Sequence, residues 1–367
     1  MGIPSPRAEF YGMIVNIDEN IGRLRTHLKE LGLAKNTIFI FMTDNGTAAG
    51  HRDGGFNAGM RGSKNSPYEG GHRVPCFIHW PAGGLDEGID INTLAAHFDL
   101  LPTLAALCDV PLSNANELDG VNLASVLTQD AAPPKRAIVV ESQRVEKPIL
   151  WRKSCVISGP WRFIDGRELY NIASDPGQNT DLATKTPKRV KKLRAIYNTW
   201  WNDVSQTDDE VTRITVGAPA APTTTLTAHD WRPSSGNARD VPWSQSRIKK
   251  DLPCNGAWFV DVARPGRYQF HLRRRPDSAP LPIAANRATI VCGAQRKTAT
   301  INPQDEAPTL ILDLPAGPAR LKTILERTDG QTRGAYYVTV ERLAPPRGSA
   351  KIPLNNKFPK VYADDAR

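Results

Sequence analysis

TIFIFMTDNG (residues 37–46) joins an apolar, β-branched run straight to a carboxylate, an amide and a glycine. TIFIFM (37–42) does not alternate polar with apolar residues, so it reads as a parallel strand buried on both faces. Upstream, Phe10, Ile14, Ile17, Ile21, Leu24, Leu28 and Leu31 recur at alternating spacings of four and three. That is one apolar stripe of a helix, and Gly32 follows as its C-terminal cap. A helix followed by such a strand predicts an α/β layer fold. In open α/β sheets, ligands gather at the carboxyl ends of strands, where Asp44 and Asn45 stand. Their oxygens are hard donors suited to calcium or magnesium, although Asn-Gly is also a strong turn former. The glycine-rich residues 46–63 let backbone approach a ligand closely.

Downstream, VPCFIHWP (74–81) reads as the next strand, and Asp99 as a cap on a helix over LLPTLAAL, with Pro102 in its first turn. AIVVES (137–142) is a further buried strand. SCVISGPWRFID breaks at Gly159-Pro160 into a hairpin, ELYNI (168–172) adds a strand, and residues 188–204 return to helical spacing. Residues 206–254, rich in Thr, Ala, Pro and Ser, read as a linker. AWFVDV, RYQFHL, ATIVCG, TATI, TLILDL, ARLKTIL and AYYVTVERL then predict a β-sandwich-like domain over 255–345, and 346–367 a loose tail. Residues 1–152 form the α/β domain in this reading, and 153–205 a small antiparallel sheet plus helix. Residues 1–152 offer three strands where a doubly wound sheet has about five or six, so that domain is expected to be incomplete on its N-terminal side.

Across 367 residues, 40% hydrophobic and 23% charged, the net charge is +9. That charge suits an acidic partner (nucleic acid, anionic lipid or sulfated polysaccharide) or simply a basic surface. The five cysteines are scattered and never at CxxC spacing, which argues against a zinc site and a disulfide framework. Cys76 and Cys108 read as core thiols. No apolar run approaches the roughly 20 residues of a membrane span, and MGIPSPRAEF lacks the features of a secretory signal. Serine-hydrolase, dinucleotide and P-loop motifs find no support.

TDNG (43–46), followed by GMRGSKNSPYEGGHRVPCFIHWPAG (59–83), resembles the sulfatase family. FYGMIVNIDENIGRL, DLLPTL, LDGVNLASVL and ELYNIASDPGQNTDLA resemble further landmarks, so the likeness covers residues 8–205. Residues 255–345 resemble a β-rich extension carried by some sulfatases. The resemblance implies an incomplete alkaline-phosphatase/sulfatase-like α/β fold, a mostly parallel sheet with flanking helices, followed by the β-sandwich-like domain. It implies that Asp44 and Asn45 are the second pair of Ca2+ ligands. It implies that Lys64 holds a sulfate oxygen and steadies charge as the ester bond breaks, a task for which a compact ammonium is suited. Tyr68, Glu69, Gly70 and Gly71 shape the turn. His72 and Arg73 either contact ligand or pair with a nearby carboxylate, and His51 and His97 read as loop and helix-start residues.

The family attacks with an aldehyde hydrate made from a Cys or Ser within Cys/Ser-x-Pro/Ala-x-Arg. Cys155 is followed by Val-Ile-Ser-Gly and Cys254 by Asn-Gly-Ala-Trp, and no nucleophile is expected in this chain. The expectation is therefore the C-terminal portion of a calcium-dependent, arylsulfatase-like sulfuric ester hydrolase, inactive alone and binding calcium poorly. Its expected partners are a sulfate ester of a carbohydrate or aryl alcohol and a complementing N-terminal half, with no nucleic acid. The alternative is a non-catalytic module that binds anionic polysaccharide. Localisation is left open, since export in this family depends on an N-terminal leader.

Overall fold

The structure, a computed structural model, describes residues 5–48, 55–86, 88–129, 131–143, 145, 147–208, 210–233, 241–242, 244–327 and 329–343. The chain divides into two compact units, residues 1–208 and 209–367. No described helix is long and apolar enough to cross a membrane.

The first unit opens with α1 (Ser5–Glu30). It closes as a Schellman motif, with Gly32 at φ +71° donating to Lys29 O and Leu33 donating to Leu28 O at 2.9 Å. Its apolar stripe is only half covered: Ile14, Ile17 and Leu24 are 46, 49 and 50% exposed. β1 (Phe39–Met42) follows, then a long loop containing α2 (Glu69–His72), then β2 (Cys76–His79). β1 and β2 pair antiparallel, Phe39 opposite His79 and Met42 opposite Cys76. Here the structure corrects the parallel expectation for TIFIFM. Gly46 N–H donates to Gly71 O at 3.0 Å, so the chain returns at the end of β1 it left, and β2 must run back. β1 is also only half-buried, and Cys76 and Cys108 are exposed rather than core thiols, because no described element covers their faces.

Next come α3 (Leu100–Leu107) and α4 (Ala124–Leu127), then β3 (Ala137–Glu141), β4 (Ser154–Ser158), β5 (Trp161–Ile164) and β6 (Glu168–Asn171). β3 to β6 form a four-stranded antiparallel sheet in chain order, so AIVVES belongs with the hairpin strands and not with TIFIFM. Every strand pairing described in this unit is antiparallel. The β4–β5 turn is Gly159-Pro160, with Gly159 at φ +53°. α5 (Pro187–Val204) covers one face of the sheet, where Leu193 and Tyr197 pack on Val156, Phe163 and Leu169. The other face buries Ile138, Cys155, Ile157, Ile164 and Tyr170 against Tyr68, Leu94 and Ala96. That second contact seats the loop between β1 and β2.

The second unit holds β7 (Ile214–Val216), β8 (Thr223–Thr227), β9 (Arg232–Pro233), α6 (Gln245–Lys249), β10 (Gly256–Val262) and β11 (Gly266–Arg273). It continues with β12 (Ala285–Cys292), β13 (Gln295–Thr300), β14 (Thr309–Leu314), β15 (Gly317–Arg327), β16 (Thr332–Arg333) and β17 (Tyr337–Arg342). One sheet runs β13-β12-β15-β10-β7, with β16 on β15 and β9 on β10; the other runs β14-β11-β17-β8. Trp258, Val260, Ile290 and Leu321 of the first sheet share one core with Phe270, Leu272, Val338 and Leu226 of the second, which makes a sandwich. Residues 206–254 are therefore not a plain linker. The β-branched run TTTLT (223–227) gives β8 at the edge of one sheet, and β7 pairs with β10 in the other. The tail 346–367 lies outside the described residues.

Candidate functional site

Three backbone hydrogen bonds assemble the sequence motifs into one place. Gly46 N–H donates to Gly71 O at 3.0 Å, Lys64 N–H to Thr47 O at 2.9 Å and Gly70 N–H to Arg61 O at 2.8 Å. The strand end bearing Asp44 and Asn45 thus lies against the turn bearing Lys64. Glycine is required for the approach. A Cβ on Gly46 would stand 1.9 Å from Gly70 O, and one on Gly71 would stand 2.0 Å from Ser66 O. Asp44 and Lys64 are exposed and Asn45 is half-buried, so charge and amide face solvent at the mouth of β1. His97 lies in a 3-10 turn with Nε2 3.0 Å from Thr43 O, beside Asp44.

Glu69 anchors this turn. It is 2% exposed and takes Arg162 in a two-pronged pair, Nε to Oε2 at 2.6 Å and Nη2 to Oε1 at 3.1 Å. Burial by itself would raise its carboxyl, but His72 and Arg162 outweigh that and hold it down at about 2. His72 Nε2 and Arg73 Nη1 both lie 3.6 Å from Glu69 carboxylate oxygens. Of the two roles open to them in the sequence, pairing with a carboxylate is the one this geometry displays.

A second set of contacts, which sequence reasoning did not single out, clamps the turn to the four-stranded sheet. The Arg61 guanidinium donates to Tyr170 OH, Gln178 O and Tyr68 OH at 2.9, 2.9 and 3.1 Å and lies 4.0 Å above the Tyr68 ring. Both tyrosine hydroxyls donate to Glu168 Oε2, at 2.8 and 2.7 Å. The buried Gln178 accepts from Glu69 N–H at 2.8 Å. GMRG, YEGG, ELYN and DPGQN were each visible as separate pieces; that they close on one another was not.

Asp99 departs from its expected role. Its side chain does not cap α3. It accepts from Ala96 N–H and Val121 N–H at 2.7 and 2.9 Å and makes a doubled ion pair with Arg136. Burial pushes its carboxyl up, while Arg136 and the two backbone donors win and hold it below the ordinary range. The pair ties together segments 94–99, 121 and 136, which fixes the turn presenting His97.

Calcium takes six to eight oxygens. Asp44 and Asn45 are of the right donor type, but among the described residues no three His, Cys, Asp or Glu side chains converge. The donor chemistry fits such an ion; the donor number does not complete its shell. His51 lies outside the described residues.

Two five-residue stretches do satisfy the bare nucleophile spacing: Ser158-Gly-Pro-Trp-Arg162 and Cys292-Gly-Ala-Gln-Arg296. In both, the middle residues are the two-residue turn of a β-hairpin. Arg162 is committed to Glu69, while Cys292 is 3% exposed in the sandwich core and burial pushes its thiol up to about 11. Ser158 ends a strand of the four-stranded sheet, and Cys292 is too buried to present the accessible thiolate that thiol reactivity requires.

The comparisons with known proteins agree with these motifs. Residues 4–110 match the sulfatase family model. Human (Homo sapiens) arylsulfatase A is 29% identical over 221 residues, 52% of this chain and 43% of the relative. The N-acetylgalactosamine-6-O-sulfatase of Bacteroides thetaiotaomicron is 27% identical over 211 residues, 49% of this chain and 39% of the relative. The crystal structure of Ps i-CgsB in complex with k-i-k-neocarrahexaose aligns with 52% of this chain and 42% of its own, at 25% identity and a TM-score of 0.45. The likeness to sulfatases thus falls on the first unit, with the family model matching residues 4–110. It spans a little under half the length of the curated relatives it matches.

Proposed function

We propose that this chain is the C-terminal portion of a calcium-dependent, arylsulfatase-like hydrolase of sulfate esters, acting on sulfated carbohydrates or aryl sulfates. The observation that carries the reading is the joining of the Asp44–Asn45 strand end to the Lys64 turn through Gly46–Gly71 and Thr47–Lys64. In a complete enzyme, Asp44 and Asn45 supply two oxygens to the cation, which would neutralise the negative charge of the sulfate group. Lys64 donates to a sulfate oxygen and offsets charge that develops as the ester bond breaks. Glu69, Arg162 and Arg61 touch no reacting atom in this reading; they hold the turn. The nucleophile and the remaining metal ligands come from a complementing N-terminal half, so the chain alone neither hydrolyses sulfate esters nor binds calcium tightly.

The test is turnover of an aryl sulfate by this chain, alone and co-expressed with an N-terminal sulfatase segment carrying the nucleophile signature. The expected result is no turnover alone and turnover on complementation, lost in Asp44→Ala and Lys64→Ala. Turnover by the pure chain that disappears in Asp44→Ala would defeat the inactive-alone reading. A second reading, a non-catalytic module for anionic polysaccharide, is favoured by the basic sheet of the second unit.

A further inference from the structure

One sheet of the sandwich carries cations on the face turned away from its core. In β10 and β15, Trp258, Val260 and Leu321 are buried in the sandwich, so Ala257, Phe259, Arg320 and Lys322 lie on the other face. The register then places Arg232, Ala257, Lys322, Val291 and Arg296 in one row across β9, β10, β15, β12 and β13. Cations alternate with small apolar residues along that row. With strands ~4.8 Å apart, the cations recur every ~10 Å. One step along, Phe259 sits beneath three guanidinium groups, with Arg213, Arg232 and Arg320 at 5.7, 5.8 and 5.3 Å from its ring centre. Arg213, Arg296 and Arg320 have no carboxylate within 4.0 Å among the described residues. Asp261 shares this face, and farther along Arg287 and Glu326 offset each other at 3.6 Å.

We propose that this face is a docking surface for a sulfated polysaccharide chain laid across the strands. An open sheet face with evenly spaced charge suits an extended polyanion better than a small ligand, which is usually held in a concave pocket. Arginine forks match the oxygens of a tetrahedral oxyanion. The Phe259 ring lies under guanidinium groups, so it is not a bare aromatic platform of the kind on which a single-stranded nucleic acid stacks its bases. The choice of sulfate as the anion rests on the sulfatase reading of the first unit.

The experiment is equilibrium binding of the full chain to heparin, to chemically desulfated heparin and to a single-stranded oligonucleotide, at fixed salt. The triple variant Arg213→Gln/Arg296→Gln/Arg320→Gln should weaken heparin binding by about tenfold or more. Arg267→Gln, an exposed arginine of the other sheet paired with Asp313, should leave it unchanged. Far-UV circular dichroism checks that the triple variant is folded; if it is not, each single variant is measured, with a loss of binding expected from each. Heparin binding within twofold of the parent in the folded variants, equal binding of desulfated heparin, or tighter binding of the oligonucleotide would each overturn the proposal. Lys64→Ala separates the two readings. Binding lost there and kept in the triple variant places the anion in the first unit and removes the docking face alone. Binding lost in the triple variant, with no activity on complementation, keeps the docking face and removes the sulfatase function.

Discussion

The two units enclose their apolar residues in opposite ways. In the second, Trp258, Tyr268, Phe270, Leu272 and Tyr336 are all 0% exposed between two sheets. In the first, one four-stranded sheet divides its core between two faces, and α1 holds a regular apolar stripe half in solvent. Sequence periodicity states which face needs cover; it does not supply the cover. The sandwich supplies its own, and α1 draws none from the described residues. The exposed stripe and the half-buried strands β1 and β2 are why we expect the chain to be poorly soluble without a complementing partner.

The contrast is sharpest at the buried ion pairs. Without Arg162, Glu69 keeps His72 and Arg73 at the longer distance of 3.6 Å, whereas Asp251 without Arg333 keeps Arg274 and Arg327 at 3.1 and 2.9 Å. Arg162→Ala leaves a buried carboxylate without its main partner and should cost the first unit about 3–5 kcal/mol. Arg333→Ala leaves Asp251 paired and should cost less, about 1–3 kcal/mol for the carbonyls it abandons. Urea titration of each variant followed by circular dichroism checks the order; equal losses would break the comparison.

Gly46→Ala comes next. Its Cβ would meet the Gly70 carbonyl at 1.9 Å, and the strain should cost about 1–3 kcal/mol and loosen the turn that presents Lys64. Proteolysis after residue 44 should accelerate in this variant and stay unchanged in Gly22→Ala, where a Cβ meets nothing within 4 Å.

Acid should act on the first unit through Glu69. Its folded value, about 2, lies below the ordinary 4.5, so its contribution to stability is fully present above 4.5 and is lost as pH falls from there toward 2. The Asp99 carboxyl is shifted in the same direction and adds to the loss. An acid titration followed by Trp fluorescence should show this limb, and Glu69→Gln should flatten it at the expense of stability at neutral pH. The smallest effect is expected on α1. Ile14→Lys with Ile17→Lys should change stability by about 0.5 kcal/mol or less while raising solubility, which light scattering reports.

Local chemistry was legible wherever a single segment carried it. The helix ending at Gly32, the hairpin at Gly159-Pro160, α5 and the seven segments from AWFVDV to AYYVTVERL are read from period and turn residues, and each exists. The TDNG and SK-YEGG motifs were also legible as pieces of one site. Direction and closure were not. TIFIFM has the composition of a doubly buried parallel strand, and its partner β2 runs antiparallel because a distant backbone contact, Gly46 to Gly71, turns the chain around. The contacts of Arg61, Arg162, Gln178 and Glu168 were not legible, since each works through residues about a hundred positions away.

The sequence by itself determined the segments, the glycines that permit close approach and the sulfatase-like motifs of the first unit, because those follow from side-chain size, period and short motifs. Only the tertiary structure decided which carboxylates are buried and paired, which apolar faces stay open, and that cations from several strands share one face of a sheet. Those depend on residues far apart in the chain meeting in space, and on the free energy of taking charge out of water once they do.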